Sequence, residues 1–514
     1  MLSYPDGKGR DEYLSELFDW YSGDELNLRE VRETADGTQE NALVWPLQIN
    51  YAEVVVDKLA QLVWGQWHTT QSRHVITPMV RAKGRYKGKE VWDGLAQSCE
   101  EYISECLFVD NDGDKLLRQA GIDCGVYGAA IIQIGYDPIA ETVPLSVIPP
   151  EFFKCRWNYA GKIVDAIVMQ HILVEEAIAQ GWALNETWAS QVKKGYRNED
   201  VVTRWEYWSV REHNVWIEDQ LIEKKGNPLG AVPFFVIPNR STSGTFYGKS
   251  DIDGIRSLVL ELNSILADAG DAHNYFAHPI PVLIDTQEGV DDLNTGPGQA
   301  WQVTTRHRSE NQAIVKYLMW DGPSPDFVAF FKLVQAVLHD VSYVPQVAYG
   351  VPQGTQQSGV ALQVEMMPAT NLAAEKRIYW SAGLREMFRA ILGVAARFGL
   401  LASPRSEYAT SDNIARLSID AGFAPMLPRD QTAEVNRNIA LVNNRLSARR
   451  SALINLGNID PEEELDEIYN DWRKDARIES PGPMQGEVKP QNPGEGQSSS
   501  DEPGGEDATD ILQE

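Results

Sequence analysis

The sequence predicts an α+β protein assembled from several parts, and three observations carry that expectation. Two segments, Asp251 to His278 and Asp326 to Val344, place apolar residues three or four apart, the period of a helix with one buried face. Between them lies a strand-like insert, PVLID, AWQVTT and QAIVKYLMW, punctuated by Gly296-Pro297-Gly298 and closed by Asp321-Gly322-Pro323. From Glu479 onward the chain turns to Pro, Gly, Ser and acid, a composition that buries too little apolar surface to fold.

Taken in order, Leu47 to Gly65 sets Val55, Leu59, Leu62 and Val63 on one helical stripe. Leu95 to Gln119 is read as helix, and GVYGAAIIQIGYD after it as a buried strand ending at Asp137-Pro138. Short strands are expected around PLSVIPP, KIVDAIVMQHILV, VTRWEYWSV and AVPFFVIPN. The helix from Asp251 carries Ile252, Ile255, Val259, Leu262 and Leu266 and stops at Pro279 and Pro281, a length of about 42 Å at 1.5 Å per residue. Its partner carries Phe327, Phe331, Val334, Leu338 and Val341. After Pro345 comes a polar loop, and from Ser358, a plausible N-cap, a long helix is expected to about Leu400. Pro368 removes a backbone bond inside that helix and is expected to kink it. Asp430 to Arg477 reads as a small helical unit.

Composition narrows the function. The chain has 514 residues, enough for about three domains, and a formal net charge of -28, so it lacks the cationic excess of a tight nucleic-acid binder. The start, MLSYPDGKGRDEYL, has no apolar signal core, and no run approaches the roughly 18 apolar residues of a membrane span. The expectation is a soluble protein made in the cytoplasm, with no membrane partner. Cys99, Cys106, Cys124 and Cys155 are too few and too irregularly spaced for a disulfide framework or a zinc site, and are read as reduced, mostly buried thiols.

Three motifs imitate chemistry. SGTFYGKSDIDGI, Ser243 to Ile255, ends a glycine loop in Gly248-Lys249-Ser250, like a phosphate cradle. A P-loop needs four residues between its glycines, and here Gly244 and Gly248 are separated by three, too short to wrap a β-phosphate. The stretch is read as a bend, with Ser250 or Asp251 capping the next helix and Lys249 a surface charge. The run Asp110 to Asp114 suggests a calcium loop, but counting from Asp110 the positions that need glycine and glutamate hold Lys115 and Gly121, so a solvated turn is expected. His273 and His278 lie five apart and do not make a metal pair. No nucleophile elbow, H-E-x-x-H or paired catalytic carboxylate stands out, so no catalytic, cofactor-binding or metal residue is assigned and an enzyme is not expected.

Laid end to end, the order of segments resembles the portal protein of tailed bacteriophages, the ring through which DNA enters and leaves the capsid. The carriers are "VVVDKLAQLVWG" within Asn50 to Gly65, "YGKSDIDGIRSLVLELNSILAD", "GTQQSGVALQVEMMPA" and "RLSARRSALINLGNIDPEEELDEI". They look like the family's early wing helix, the start of its first stem helix, the start of its long wing helix and its crown. The resemblance covers the chain up to the tail.

The resemblance implies a portal-type fold: a wing from residues 1–250, stem helices at 251–278 and 323–344, and a strand-containing clip at 279–322. A tunnel loop at 345–357, a second wing part at 358–429, a crown at 430–478 and an acidic tail at 479–514 complete it. It further implies a homo-oligomeric ring, typically of twelve, in the virion at one capsid vertex, assembled in the host cytoplasm. Terminase, head-completion or adaptor and tail proteins, scaffold and major capsid protein would be its partners, with double-stranded DNA passing through without tight binding. Gln353, Gly354, Thr355, Gln356 and Gln357 of the tunnel loop would face that DNA. A stem of about 42 Å would surround on the order of 25 phosphates, and no Lys or Arg occurs between Lys332 and Lys376, so a sliding cargo is not gripped there. Arg306, His307, Arg308 and Lys316 are the clip's basic exception. They meet DNA, meet an acidic partner, or simply pair with Glu310 and Asp321. A different capsid or tail scaffold protein is the alternative reading, and a P-loop hydrolase the remotest.

Overall fold

The computed structural model describes residues 9–24, 32–33, 39–40, 48–65, 74–179, 181–182, 199–241, 245–277, 280–284, 314–318, 325–350, 359–401, 410–427, 431–455, 464–465, 468–470 and 472, and every structural statement concerns these. The chain divides into two compact units, Met1–Gln431 and Thr432–Glu514.

In the first unit, α1 (Arg10–Ser22) precedes a short ribbon of β1 (Arg32–Glu33) and β2 (Gln39–Glu40). Helix α2 (Tyr51–Trp64) is opened by Asn50, whose side chain accepts the Glu53 N–H. Strand β3 (Ile76–Ala82) leads to α3 (Glu90–Ser104), which runs on as a π-turn over Glu105–Asp110. Helix α4 (Gly113–Tyr127) follows and then β4 (Ala129–Ile134). Two expectations are corrected here. The helix read from Leu95 to Gln119 is broken at Asp112, whose φ of 47° is left-handed, and Gly125-Val126-Tyr127 close α4 instead of opening a strand. A buried apolar run has the same look in helix and strand. The break between them is Gly128, at φ 85°, the left-handed terminator that a side chain would resist.

The Asp110 to Asp114 turn is structural. Asp114 accepts the Val75 N–H at 3.0 Å and pairs with His74 at 2.8 Å, so it ties α4 to the start of β3. The Asp112 side chain makes no cap hydrogen bond.

Strand β5 (Leu145–Val147) joins β4, and β6 (Phe153–Trp157) and β7 (Ile163–Leu173) form a hairpin. After α5 (Val174–Ala179) come β8 (Val201–Ser209), β9 (Glu212–Ile217), β10 (Gln220–Gly226) and β11 (Phe234–Pro238). The five-stranded sheet, in the order β10-β9-β8-β7-β6, is an antiparallel meander; β11-β4-β5 is a second, three-stranded sheet. Sequence reading found four of these strands but missed β6, β9 and β10, whose polar outward positions leave no continuous apolar run.

Helix α6 (Arg256–Ala277), the pair β12 (Ile280–Ile284) and β13 (Ile314–Leu318), and α7 (Pro325–Ser342) make a helical hairpin with a β insert. AWQVTT lies outside the described residues. Helices α8 (Gly359–Glu365) and α9 (Met367–Phe398) follow, then α10 (Ser411–Ile414) and β14 (Leu417–Phe423), which pairs with β3. In the second unit are α11 (Gln431–Asn443) and α12 (Arg449–Asn455).

The 32-residue α9 is the spine of the main core. Trp380, Leu384, Met387, Phe388, Ile391 and Leu392 are all essentially buried against α3, α4, β4 and the β3–β14 pair. Helix α2 faces two ways: Leu62 to Trp64 join that core, whereas Val55, Val56 and Leu59 join a second one built from α1, α6 and α7. The thiols of Cys99, Cys106 and Cys124 are buried, which pushes Cys99 up to about 11 and the other two up to about 12, so they stay protonated and inert.

Candidate functional site: the helical hairpin and its anchor

The hairpin is held where SGTFYGKSDIDGI meets α4. Gly248 lies against the Gly128 backbone: a Cβ at Gly248 would sit 2.5 Å from the Gly128 carbonyl oxygen, and one at Gly128 2.6 Å from that of Gly248. Only glycine fits at both. Ser250 donates its hydroxyl to the Val126 carbonyl at 2.5 Å, and Ile252 N–H donates back to Ser250 Oγ at 3.1 Å.

Asp251 is the centre of the anchor. Its side chain is 2% exposed and pairs with Lys376 of α9, itself 4% exposed. Asn239 Nδ2 donates to it at 2.9 Å and the Arg240 guanidinium lies at 3.7 Å. Burying a carboxylate demands such partners, since an unpaired charge in a dry interior costs several kcal/mol. The expected cap is corrected accordingly: α6 begins at Arg256, five residues beyond Asp251, whose carboxylate is committed to α9.

The same geometry removes a phosphate cradle. Lys249 N–H donates to Arg240 O at 3.0 Å and Asp251 N–H to Gly125 O at 2.9 Å, so these backbone donors are already used, and Lys249 itself is exposed.

Further ties clamp the first turns of α6. Asp253 accepts the Tyr13 hydroxyl at 2.6 Å, and Arg256 bridges Glu16 and Asp253 at 3.1 Å each. Asn263 caps the lead-in to α2 twice, accepting Ile49 N–H at 2.8 Å and donating to Ile49 O at 3.1 Å. On α7, His339 is 3.0 Å through Nδ1 from Val344 O, and burial holds its pKa below the ordinary imidazole value, which keeps it neutral.

Away from these ties the hairpin is poor in cations. Arg256 and Lys332 are the two Lys or Arg residues of α6 and α7, and Arg256 is spent on Glu16 and Asp253. Among the described side chains Glu261, Asp268, Lys332 and Asp340 are exposed charges. One flank of α7 is apolar yet uncovered: Phe330, Leu333, Val337 and Val341, with Leu333 60% exposed, beside the inward row Phe327, Phe331, Val334 and Leu338.

The tunnel-loop residues Gln353 to Gln357, the N-cap Ser358, and Arg306, His307 and Arg308 lie outside the described residues. Lys316 sits in β13 opposite Val282. Pro368 stands in the first turn of α9, and the interruption falls before it, at Met366, between α8 and α9. A first-turn proline loses an N–H that has no intrahelical partner anyway.

The family model described as "Phage portal protein, SPP1 Gp6-like" matches residues 100–477, well over half of the chain and across both the hairpin and its anchor. The chain belongs to this family. It is a phage portal protein, a component of the head–tail connector, in a family of structural proteins that assemble as rings at a capsid vertex. No match was found among curated proteins. The order found in this portal protein, sheet-bearing N-terminal part, helical hairpin, long helix, is the order that the sequence motifs suggested. Sequence reading missed Lys376 and Asn239 as partners of Asp251, because contacts across 125 and 12 residues leave no local signal.

Proposed function

We propose that the hairpin α6–β12–β13–α7 is the portal stem with its clip, and that the assembled ring, of twelve subunits, conducts double-stranded DNA without gripping it. The observation that carries this reading is the scarcity of free cations on helices α6 and α7, where among the described side chains Lys332 alone stands against the exposed Glu261, Asp268 and Asp340. Phosphate contacts dominate DNA affinity, so a wall lacking them lets the duplex slide. The polar loop with Gln353, Gly354, Thr355, Gln356 and Gln357 would brush the cargo in the tunnel. Arg306, His307, Arg308 and Lys316 would meet terminase during packaging and head-completion or tail proteins afterwards. Scaffold and major capsid protein would hold the ring at the vertex. The uncovered row Phe330, Leu333, Val337 and Val341 suits the neighbouring subunit, since ring contacts join two different patches and close by rotation. In this reading the chain is a structural part without a reaction of its own.

The test is the native mass of the full chain together with DNA retention by the assembled particle. A mass near twelve times 57.5 kDa, and duplex retention that Lys332→Gln leaves unchanged, are expected. A stable monomer that hydrolyses ATP would overturn the reading.

A further inference from the structure

The loop between β3 and α3 stands apart from the acidic remainder of the chain. Arg81, Lys83, Arg85, Lys87 and Lys89 occupy every second position of RAKGRYKGK and are all exposed, in a protein of net charge -28. Because β14 pairs with β3 and puts Leu417 opposite Ala82, the exposed Arg416 comes to the same place. Among the described residues none of these six forms an ion pair with a carboxylate within 4.0 Å. The nearest acids along the chain, Glu90 and Asp93, open α3, where the helix N-terminus attracts them.

An aromatic pair sits among the cations. Tyr86 packs on Trp92 with ring centroids 4.2 Å apart, and the Arg85, Arg416 and Lys89 charges lie 5.0, 5.8 and 5.9 Å from the Tyr86 ring. Arg85 also donates to the Tyr86 hydroxyl at 2.8 Å, the main reason its pKa falls below the ordinary phenol value. Like charges gather here, with the Glu100 carboxylate of α3 acting on Arg81 from beyond ion-pair distance. Gly84 and Gly88, with φ of 51° and 75°, give the loop its turns, and nothing lies within 4 Å of where their Cβ atoms would be. The loop is open to a large partner. It precedes the matched stretch 100–477, and the β3–α3 layer belongs to the α9 core, not the core that holds the hairpin.

We infer that this loop, with Arg416, binds the phosphate backbone of double-stranded DNA outside the conducting hairpin. Three lysines and three arginines spread over a turn, with no paired acid, suit a row of phosphates read without regard to sequence. The half-buried Tyr86 adds the open part of its ring as a surface for sugar or base contact. From the portal reading the inference takes only that DNA is close at hand.

The experiment uses the full-length protein and a fluorescent 30-base-pair duplex, with anisotropy followed from 50 to 200 mM salt. One variant carries Lys83→Gln, Arg85→Gln, Lys87→Gln and Lys89→Gln. A control with the same charge change carries Lys162→Gln, Arg211→Gln, Lys224→Gln and Lys249→Gln, all exposed positions elsewhere. With about four phosphate contacts, wild-type affinity should fall on the order of a hundredfold across that salt range. The loop variant should bind at least tenfold more weakly at 50 mM, while the control stays close to wild type. Equal losses in both variants, or no duplex binding by wild type at 50 mM, overturn the inference. Tighter binding of polyglutamate than of duplex also overturns it and assigns the loop to an acidic protein. Native mass measured on the same samples reports ring formation separately, so failure of the ring reading and failure of this one are told apart.

Discussion

At the scale of single residues, the Asp251–Lys376 pair decides how firmly the hairpin is seated. Lys376→Met would leave a buried carboxylate with Asn239 and the more distant Arg240, and should cost about 3–5 kcal/mol in denaturant midpoint. Adding Asp251→Asn to it should recover a large part, and a single variant as stable as wild type would show that the pair contributes little. Asp123 is the opposite case. Burial first, and the Glu151 charge second, push it up to about 7, and its Oδ2 has no hydrogen-bond partner. A carboxyl whose folded pKa is raised above its unfolded value costs no stability below about pH 4 and an increasing amount as pH rises towards 7. Asp123→Asn should therefore stabilise by about 1–3 kcal/mol at pH 8 and change little at pH 4, as read by thermal melts at both. The anchor was only partly legible beforehand. Gly248 and Ser250 announce a tight bend in sequence, whereas the role of Asp251 depends on a lysine 125 residues away.

At the scale of elements, periodicity served best where one face of a long helix is buried. Both hairpin helices, α9 and α2 were legible because their apolar rows repeat over many turns. It failed at short or half-covered segments: the last turn of α4 was fused with β4 into one strand, and β6, β9 and β10 were missed. Pro368 illustrates a local rule needing its context. Within a continuous helix it would break a hydrogen bond, but in the first turn of α9 it sits where none is lost, so Pro368→Ala should alter stability by less than about 1 kcal/mol. A loss of several kcal/mol would mean that the proline fixes the angle between α8 and α9. The uncovered flank of α7 gives the element-scale prediction for assembly. Leu333→Glu with Val337→Glu should leave the folded chain intact by circular dichroism and abolish higher assembly by native mass spectrometry, because charges would be buried against an apolar neighbour. Rings from the double variant would place the subunit contact elsewhere.

At the scale of the whole molecule, the uneven distribution of charge is the main theme. The chain carries an excess of 28 negative charges, the hairpin exposes a single lysine among its described side chains, and five exposed cations stand at alternate positions of the β3–α3 loop. Under the two proposals together, conduction and retention are separated in space: a wall that does not hold the duplex, and a loop able to do so weakly. The central claim is that copies of this chain close into a ring around such a wall, and the native mass of the full-length protein at micromolar concentration tests it most directly. The account predicts a species near twelve times 57.5 kDa; a monomer or dimer as the sole species would contradict it.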